Sequence, residues 1–219
     1  MAPILVIGHL TTSTAEAREK IINALSQIME YAKAKEPGVT KYCITVPQDT
    51  EDATSVFVIE EYADQAAFDS HMAPTVLAPI LDIFQSEPGL LKSPPAVQTL
   101  EPVHGFTRAE IKDVDPFIII GNLTYKNGTI PQALEGWKSV ATATENNETG
   151  TFVYSVAKDK VDPAVLVTVE VYQDERYLWD VHAPSDAVQS NKEKHGGIRT
   201  GLQHTKLRRV AGYLHKVLS

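Results

Sequence analysis

From Pro3 to Leu10 the chain is apolar and rich in β-branched residues, which predicts a buried strand. Behind it Ile21, Ile22, Leu25, Ile28, Met29 and Ala32 recur at helical spacing, and Ser13 to Glu16 fits a capping box that would open that helix. The helix should end before Pro37-Gly38. Val39 to Val46 and Thr54 to Tyr62 then predict two strands, joined through the turn-rich stretch Pro47 to Asp52 as a hairpin. A second helix is expected from near Asp64, carrying Ala67, Phe68, His71 and Met72 on neighbouring turns, with Pro74 and Pro79 kinking or restarting it. Ala96 to Leu100 completes the order βαββαβ as a last strand.

The same order returns about 112 residues later. Ile7-Gly8-His9-Leu10-Thr11 reappears as Ile120-Gly121-Asn122-Leu123-Thr124, and Gly38 to Tyr42 as Gly150 to Tyr154. Glu60-Glu61-Tyr62-Ala63-Asp64 reappears as Glu170-Val171-Tyr172-Gln173-Asp174, and His71-Met72-Ala73-Pro74 as His182-Ala183-Pro184, the offset staying between 110 and 113. Strands are expected near Phe117 to Tyr125, Thr151 to Ala157, Val165 to Tyr172 and Leu207 to Leu214, with helices near Ile130 to Glu145 and Asp174 to Glu193. Two copies are too few for a solenoid, so the chain reads as a duplicated small domain. The βαββαβ order is ferredoxin-like, with helices on one sheet face and the other face bare. The fold class expected is therefore α+β: two tandem ferredoxin-like repeats, residues 1–101 and 117–219, joined by a linker over 102–116 and packed as an intramolecular α+β barrel. A monomer or weak homodimer should result.

Composition narrows the picture. A hydrophobic content of 43% suffices for packed cores, and the single cysteine, Cys43, leaves no intramolecular disulfide. One thiol, no basic flank before the apolar run and no stretch near membrane-spanning length together suggest a cytoplasmic protein with no membrane partner. The sequons at Asn122, Asn127 and Asn147 carry little weight in that setting. A net charge of −8 argues against nucleic acid. Lys192 to Lys216 is the exception, with seven basic residues against Glu193 alone, and reads either as a solvated face or as an anion-binding rim.

The candidate chemistry is also duplicated. His71 and His182 each follow an aromatic, Phe68 or Trp179, by three residues and so share a helical face with it. An imidazole there can act as a base near neutral pH, or merely cap the helix ahead of Pro74 or Pro184. His9 and Asn122 end the first strand of each copy and are candidates to project into the cleft between sheet and helices, or to bond a nearby loop. Glu60 and Glu170 share strand faces with Tyr62 and Tyr172. Trp137 and Trp179 add aromatic surface that serves as core or as the wall of a pocket for a flat ring.

Glu36-Pro37-Gly38, a strand, Glu60-Glu61-Tyr62-Ala63-Asp64 and Ala66-Ala67-Phe68-Asp69-Ser70-His71 together resemble the antibiotic biosynthesis monooxygenase family of dimeric α+β barrels. Copy two keeps the outline more loosely, and tandem copies look most like fungal members. The resemblance implies a small-molecule monooxygenase that uses dioxygen on aromatic, polyketide-like or oxylipin-like substrates with no cofactor, a flavin or haem remaining open. His71 and His182 are then the candidate catalytic residues, with His9, Asn122, Tyr62, Phe68, Trp137, Tyr172 and Trp179 as candidate substrate contacts. The family's asparagine, tryptophan and tyrosine relay does not carry over, because Val58, Tyr62 and Phe68 stand there in copy one and Thr168, Tyr172 and Leu178 or Trp179 in copy two. Haem-degrading relatives are matched only by Asn122, with His195 as the sole downstream ligand candidate. A non-catalytic binding protein and an isomerase or lyase remain alternatives, since the fold alone fixes no chemistry.

Overall fold

The structure, a computed structural model, describes residues 2–113 and 115–216. The chain divides into two compact units, residues 1–99 with 208–219, and residues 100–207.

The first unit contains β1 (Ile4–Thr11), α1 (Ala15–Lys35), β2 (Val39–Pro47), β3 (Ser55–Tyr62), α2 (Gln65–His71) and α3 (Pro74–Ser86), and β4 (Ala96–Thr107) starts in it. Strands β1 and β2 flank β3, antiparallel to it, with Ile4 opposite Tyr62 and Thr11 opposite Ser55. Helix α1 starts one residue later than the expected box, since the Thr14 side chain accepts from the Ala17 amide, and it buries the predicted stripe from Ile21 to Ala32. Met72 and Ala73 separate α2 from α3, and Pro74 opens α3 at its first turn, where a missing N–H is harmless.

The second unit contains β5 (Phe117–Tyr125), α4 (Ile130–Asn147), β6 (Thr151–Asp159), β7 (Val165–Tyr172), α5 (Glu175–Tyr177) and α6 (Asp186–His195), and most of β8 (Arg199–Tyr213). Beyond Tyr177, α5 continues as a π-helical stretch, Leu178–His182. In each unit the α+β order matches the repeat read from the sequence. Strand neighbours run β4-β1-β3-β2-β8 in the first unit and β8-β5-β7-β6-β4 in the second, the two long strands contributing a part to each.

Two boundaries differ from expectation. The segment read as a linker over 102–116 continues β4 through Thr107, antiparallel to β6 with Pro102 opposite Ala157 and Thr107 opposite Val153. Pro102 sits at a register shift in that ladder, where its missing N–H is tolerated. A 3₁₀ turn, Ala109–Asp113, follows, and Val114 lies outside the described residues. Strand β8 begins at Arg199 instead of Leu207, its first half being too polar and exposed to show a strand's apolar alternation.

The helix-side cores also differ. In the first unit Ile4, Val6 and Leu10 join the buried face of α1, Tyr42, Tyr62 and Ile80 in one continuous cluster. In the second unit the corresponding side chains fall into separate groups, around Leu123 and Leu166, around Phe117 and Leu178, and around Val140 and Tyr154.

Candidate functional site

Helix α1 ends at Glu36 and α4 at Glu148, each residue closing its helix through a backbone N–H bonded four residues back. Two residues on, Gly38 and Gly150 lie so close to the next helix that a Cβ would run into Ala67 or Tyr177, so glycine admits α2 and α5 against the start of the second strand. Asp64 and Asp174 cap those helices by accepting from the amides of Ala67 and Tyr177. The result in each unit is a buried histidine delivered to a buried carboxylate from the preceding helix end.

The two dyads share their inner geometry. His71 Nδ1 lies 2.7 Å from Glu36 Oε2, and His182 Nδ1 lies 2.9 Å from Glu148 Oε2. Tyr42 and Tyr62 flank the His71 ring at 5.6 and 5.4 Å between centroids, and Tyr154 and Tyr172 flank His182 at 5.3 Å each. The hydroxyls of Tyr62 and Tyr172 donate to Glu60 and Glu170 at 2.6 and 2.7 Å. Burial pushes these tyrosines, and Glu60, above their ordinary ranges.

What surrounds the dyads differs. Glu148 also accepts from Thr151 Oγ1 at 2.9 Å and Thr144 Oγ1 at 3.3 Å. Burial alone would raise its carboxyl, but the bonds from His182, Thr151 and Thr144 hold it below the usual carboxylate range. An ionised Glu148 can only accept, so His182 donates from Nδ1 and Nε2 is the ring nitrogen on the far side from the carboxylate. In the first unit Ala32 and Val39 occupy the places of the two threonines, and Glu36 Oε1 is buried without a hydrogen-bond partner. His71 is 1% exposed and its Nε2 is likewise buried without a partner.

His182 opens onto a cavity of about 280 Å³ within the second unit. Its apolar wall includes Ile119, Leu123, Trp137, Leu178 and Val188, and Tyr154, Glu170 and His182 supply polar groups. Trp137 Nε1 donates to the Tyr125 hydroxyl at 2.8 Å, fixing the indole in the wall. Trp179 is 47% exposed at the edge, its Nε1 donating to Glu175. Along α6, Val188, Asn191 and His195 face this space at i, i+3 and i+7. Along α3 the same stripe reads Leu77, Ile80 and Phe84, and these join the core cluster that holds Tyr42 and Tyr62.

Of the candidate contacts, Trp137, Trp179 and His182 therefore meet at one cavity, with Tyr172 packed behind His182. Tyr62, Phe68 and His71 are packed together in the first unit's core, Phe68 edge-on to Tyr62 at 5.3 Å. His9 and Asn122 are corrections. Ile4, Val6 and Leu10 face the helices, as do Ile119 and Leu123, so alternation puts His9 and Asn122 on the opposite sheet face. His9 stacks on Phe57 at 4.1 Å and reaches Ser55 Oγ at 3.3 Å, and burial lowers its basicity. Sequence reasoning missed Glu36 and Glu148 as partners of the histidines. The signal was present, since each stands two residues before the repeated glycine.

Residues 3–75 match the antibiotic biosynthesis monooxygenase family, a span that covers Glu36, Tyr42, Glu60, Tyr62 and His71. The first repeat is similar to that family over this span. A comparison with curated proteins gives no sequence match. A candidate monooxygenase of Lactobacillus acidophilus NCFM has the same fold with a TM-score of 0.82 and 17% identity, covering 97% of this chain and 96% of that one. A second candidate monooxygenase, from Fusobacterium nucleatum, gives 0.83 and 16%, covering 99% and 96%. An anthrone oxidase-like protein gives 0.67 and 14%, covering 97% and 93%. These likenesses fix the tandem α+β fold. Among the described residues no helix is long and apolar enough to cross a membrane, and no group of three or more His, Cys, Asp or Glu side chains could hold a metal ion.

Proposed function

We propose that the chain is a monooxygenase acting on a small aromatic or apolar metabolite, and that the reaction takes place in the cavity of the second repeat. The match of residues 3–75 to the antibiotic biosynthesis monooxygenase family supports the reaction class. One observation carries the location: of the two matching histidine-carboxylate dyads, the Glu148–His182 dyad borders a cavity, while His71 is sealed.

The substrate class that suits this site has an acidified CH₂ beside a carbonyl or between rings. His182 Nε2 takes one proton from that carbon, and Glu148 stabilises the imidazolium that forms. The carbanion passes electrons to dioxygen and forms a carbon–oxygen bond. Loss of the second C–H proton with cleavage of the O–O bond leaves C=O and releases water. The four electrons from the two C–H bonds match the four that dioxygen accepts, so the balance requires no external reductant or cofactor. The apolar wall of Ile119, Leu123, Trp137 and Leu178 keeps bulk water from the carbanion.

Oxygen uptake by the metal-chelated protein with anthrone as substrate tests this reading. Wild-type protein and His71→Gln should consume oxygen, and folded His182→Gln should not. Equal uptake by wild type and His182→Gln, or none by wild type across a panel of acidic CH₂ substrates, would reject it in favour of a binding protein.

A further inference from the structure

The cavity of the second repeat has a cationic rim that nothing in the proposed proton transfer uses. Lys192 and Arg199 both line it, and among the described residues neither lies within ion-pair distance of a carboxylate. Neighbouring cations are engaged elsewhere: Lys206 pairs with Glu175 at 2.6 Å, and Lys126 donates to the Gly197 carbonyl at 2.8 Å. Two more polar atoms on the same wall, Asn191 Oδ1 and His195 Nδ1, are buried without a hydrogen-bond partner. A guanidinium and an ammonium without a carboxylate partner on the rim of an apolar cavity form a recognition surface for an anion, while the unsatisfied Asn191 Oδ1 can accept only from a donor on the ligand or a water.

We infer that the ligand of this cavity is a planar, largely apolar monocarboxylate whose carboxylate is held by Arg199 and Lys192 while its ring system lies along Trp137, Leu178 and Tyr154. The inference deepens the proposed function, resting on the same cavity, and it names the substrate class.

The cationic groups orient the ligand. Among the described residues Glu170 is the one acid that lines the cavity, and it accepts the Tyr172 hydroxyl beside His182. An anionic group is drawn to Arg199, where the guanidinium acts on the Tyr125 hydroxyl that Trp137 also contacts. The carbon to be deprotonated is then left for the His182 end. Arg199 suits a carboxylate because its planar fork donates two parallel bonds. A volume of about 280 Å³ lies near the lower end of ligand pockets and favours a ligand of two or three rings with one such group.

The probes are 2-naphthoate and its uncharged isostere 2-naphthamide, titrated against the full chain and followed by the emission of Trp137 and Trp179, the two tryptophans of the sequence. The naphthoate should bind about tenfold or more tightly than the amide. Arg199→Met should bring the two within about threefold by weakening the naphthoate alone, and Lys192→Met should act in the same direction by less. Equal binding of both probes to wild type, or a preference that survives Arg199→Met with Lys192→Met, overturns the inference. Should those variants not fold, wild type still decides: the preference must shrink when salt rises from about 0.05 to 0.5 M, and an unchanged ratio refutes it. His182→Gln separates the two readings. A naphthoate preference kept in His182→Gln, alongside absent oxygen uptake by wild type, leaves the ligand class standing and removes the reaction.

Discussion

The two repeats hold the same buried dyad in opposite settings. In the first, Leu77, Ile80 and Phe84 of α3 join the core cluster of Tyr42 and Tyr62, the rings that flank His71, and Glu36 keeps an unpartnered oxygen. In the second, Val188, Asn191 and His195 leave a cavity before His182, and Thr144 and Thr151 complete the hydrogen bonding of Glu148. The contrast separates two uses of one arrangement. A histidine held by a carboxylate between two tyrosines pins a helix to a sheet wherever it occurs, and it gains chemical access only where the covering helix withholds apolar bulk. The repeated sequence pattern therefore locates the dyad in both copies, while the covering helix differs in whether it leaves a cavity beside it.

The sharpest break of this comparison is in turnover. His182→Gln should lower oxygen uptake by about 10²-fold or more, the usual contribution of a positioned base, while His71→Gln leaves it within about threefold. A loss of activity from His71→Gln in a protein with wild-type melting behaviour would mean that the sealed dyad takes part. Stability should show the next largest effect. Removing Glu148 strands a histidine and two threonine hydroxyls, so Glu148→Ala should cost about 3–5 kcal/mol in urea unfolding. Glu36→Ala, which loses one satisfied oxygen, should cost about 1–3 kcal/mol.

Exchange of the covering stripe sharpens the comparison. Asn191→Ile with His195→Phe installs the side chains that α3 carries, and should weaken 2-naphthoate binding by about tenfold or more while leaving the urea midpoint equal or higher. Undiminished binding would show that α6 does not control access.

The smallest effect is in pH. The carboxyl of Glu148 is held below its ordinary 4.5, so its contribution is present above pH 4.5 and is lost as pH falls through the lowered value. Burial holds Glu60 above 4.5, so its contribution is present below pH 4.5 and is lost as pH rises through the raised value. The deficit of Glu148→Gln relative to wild type should therefore grow between pH 3.5 and 7, and that of Glu60→Gln should shrink, both read from urea midpoints on the order of 1 kcal/mol apart. Parallel slopes would contradict the assignment of the two carboxyls.

The repeat, the element order and the two histidines were legible in the sequence because each depends on local spacing. The helix-side stripe of α1 and the caps at Asp64 and Asp174 belong to the same class. The wrong face for His9 and Asn122 has a different origin. Alternation shows which residues share a face, but Ile4, Leu5, Val6 and Ile7 are all buried, so hydrophobicity could not say which face the helices cover. Pairing of Glu36 with His71 spans 35 residues and of Glu148 with His182 spans 34, beyond any local rule. The cavity depends on the volumes of Asn191 and His195 against Ile80 and Phe84, a difference that is visible only once the two stripes are superposed in space.

The π-helical stretch Leu178–His182 carries a consequence for how the repeats diverged. Asp64 to Pro74 and Asp174 to Pro184 have equal length, yet the histidine stands seven places after the capping aspartate in one and eight in the other. A regular helix would swing a side chain by about 100° on such a slip and carry it away from the carboxylate. One widened turn absorbs the extra residue, and His182 still meets Glu148. The slip falls on the aromatic instead: three places before the histidine, Phe68 points inward onto Tyr62, whereas Trp179 stands at the mouth and leaves the inner place to the smaller Leu178. A backbone irregularity of one residue has thus converted a packing side chain into a doorpost, without disturbing the hinge on which it hangs.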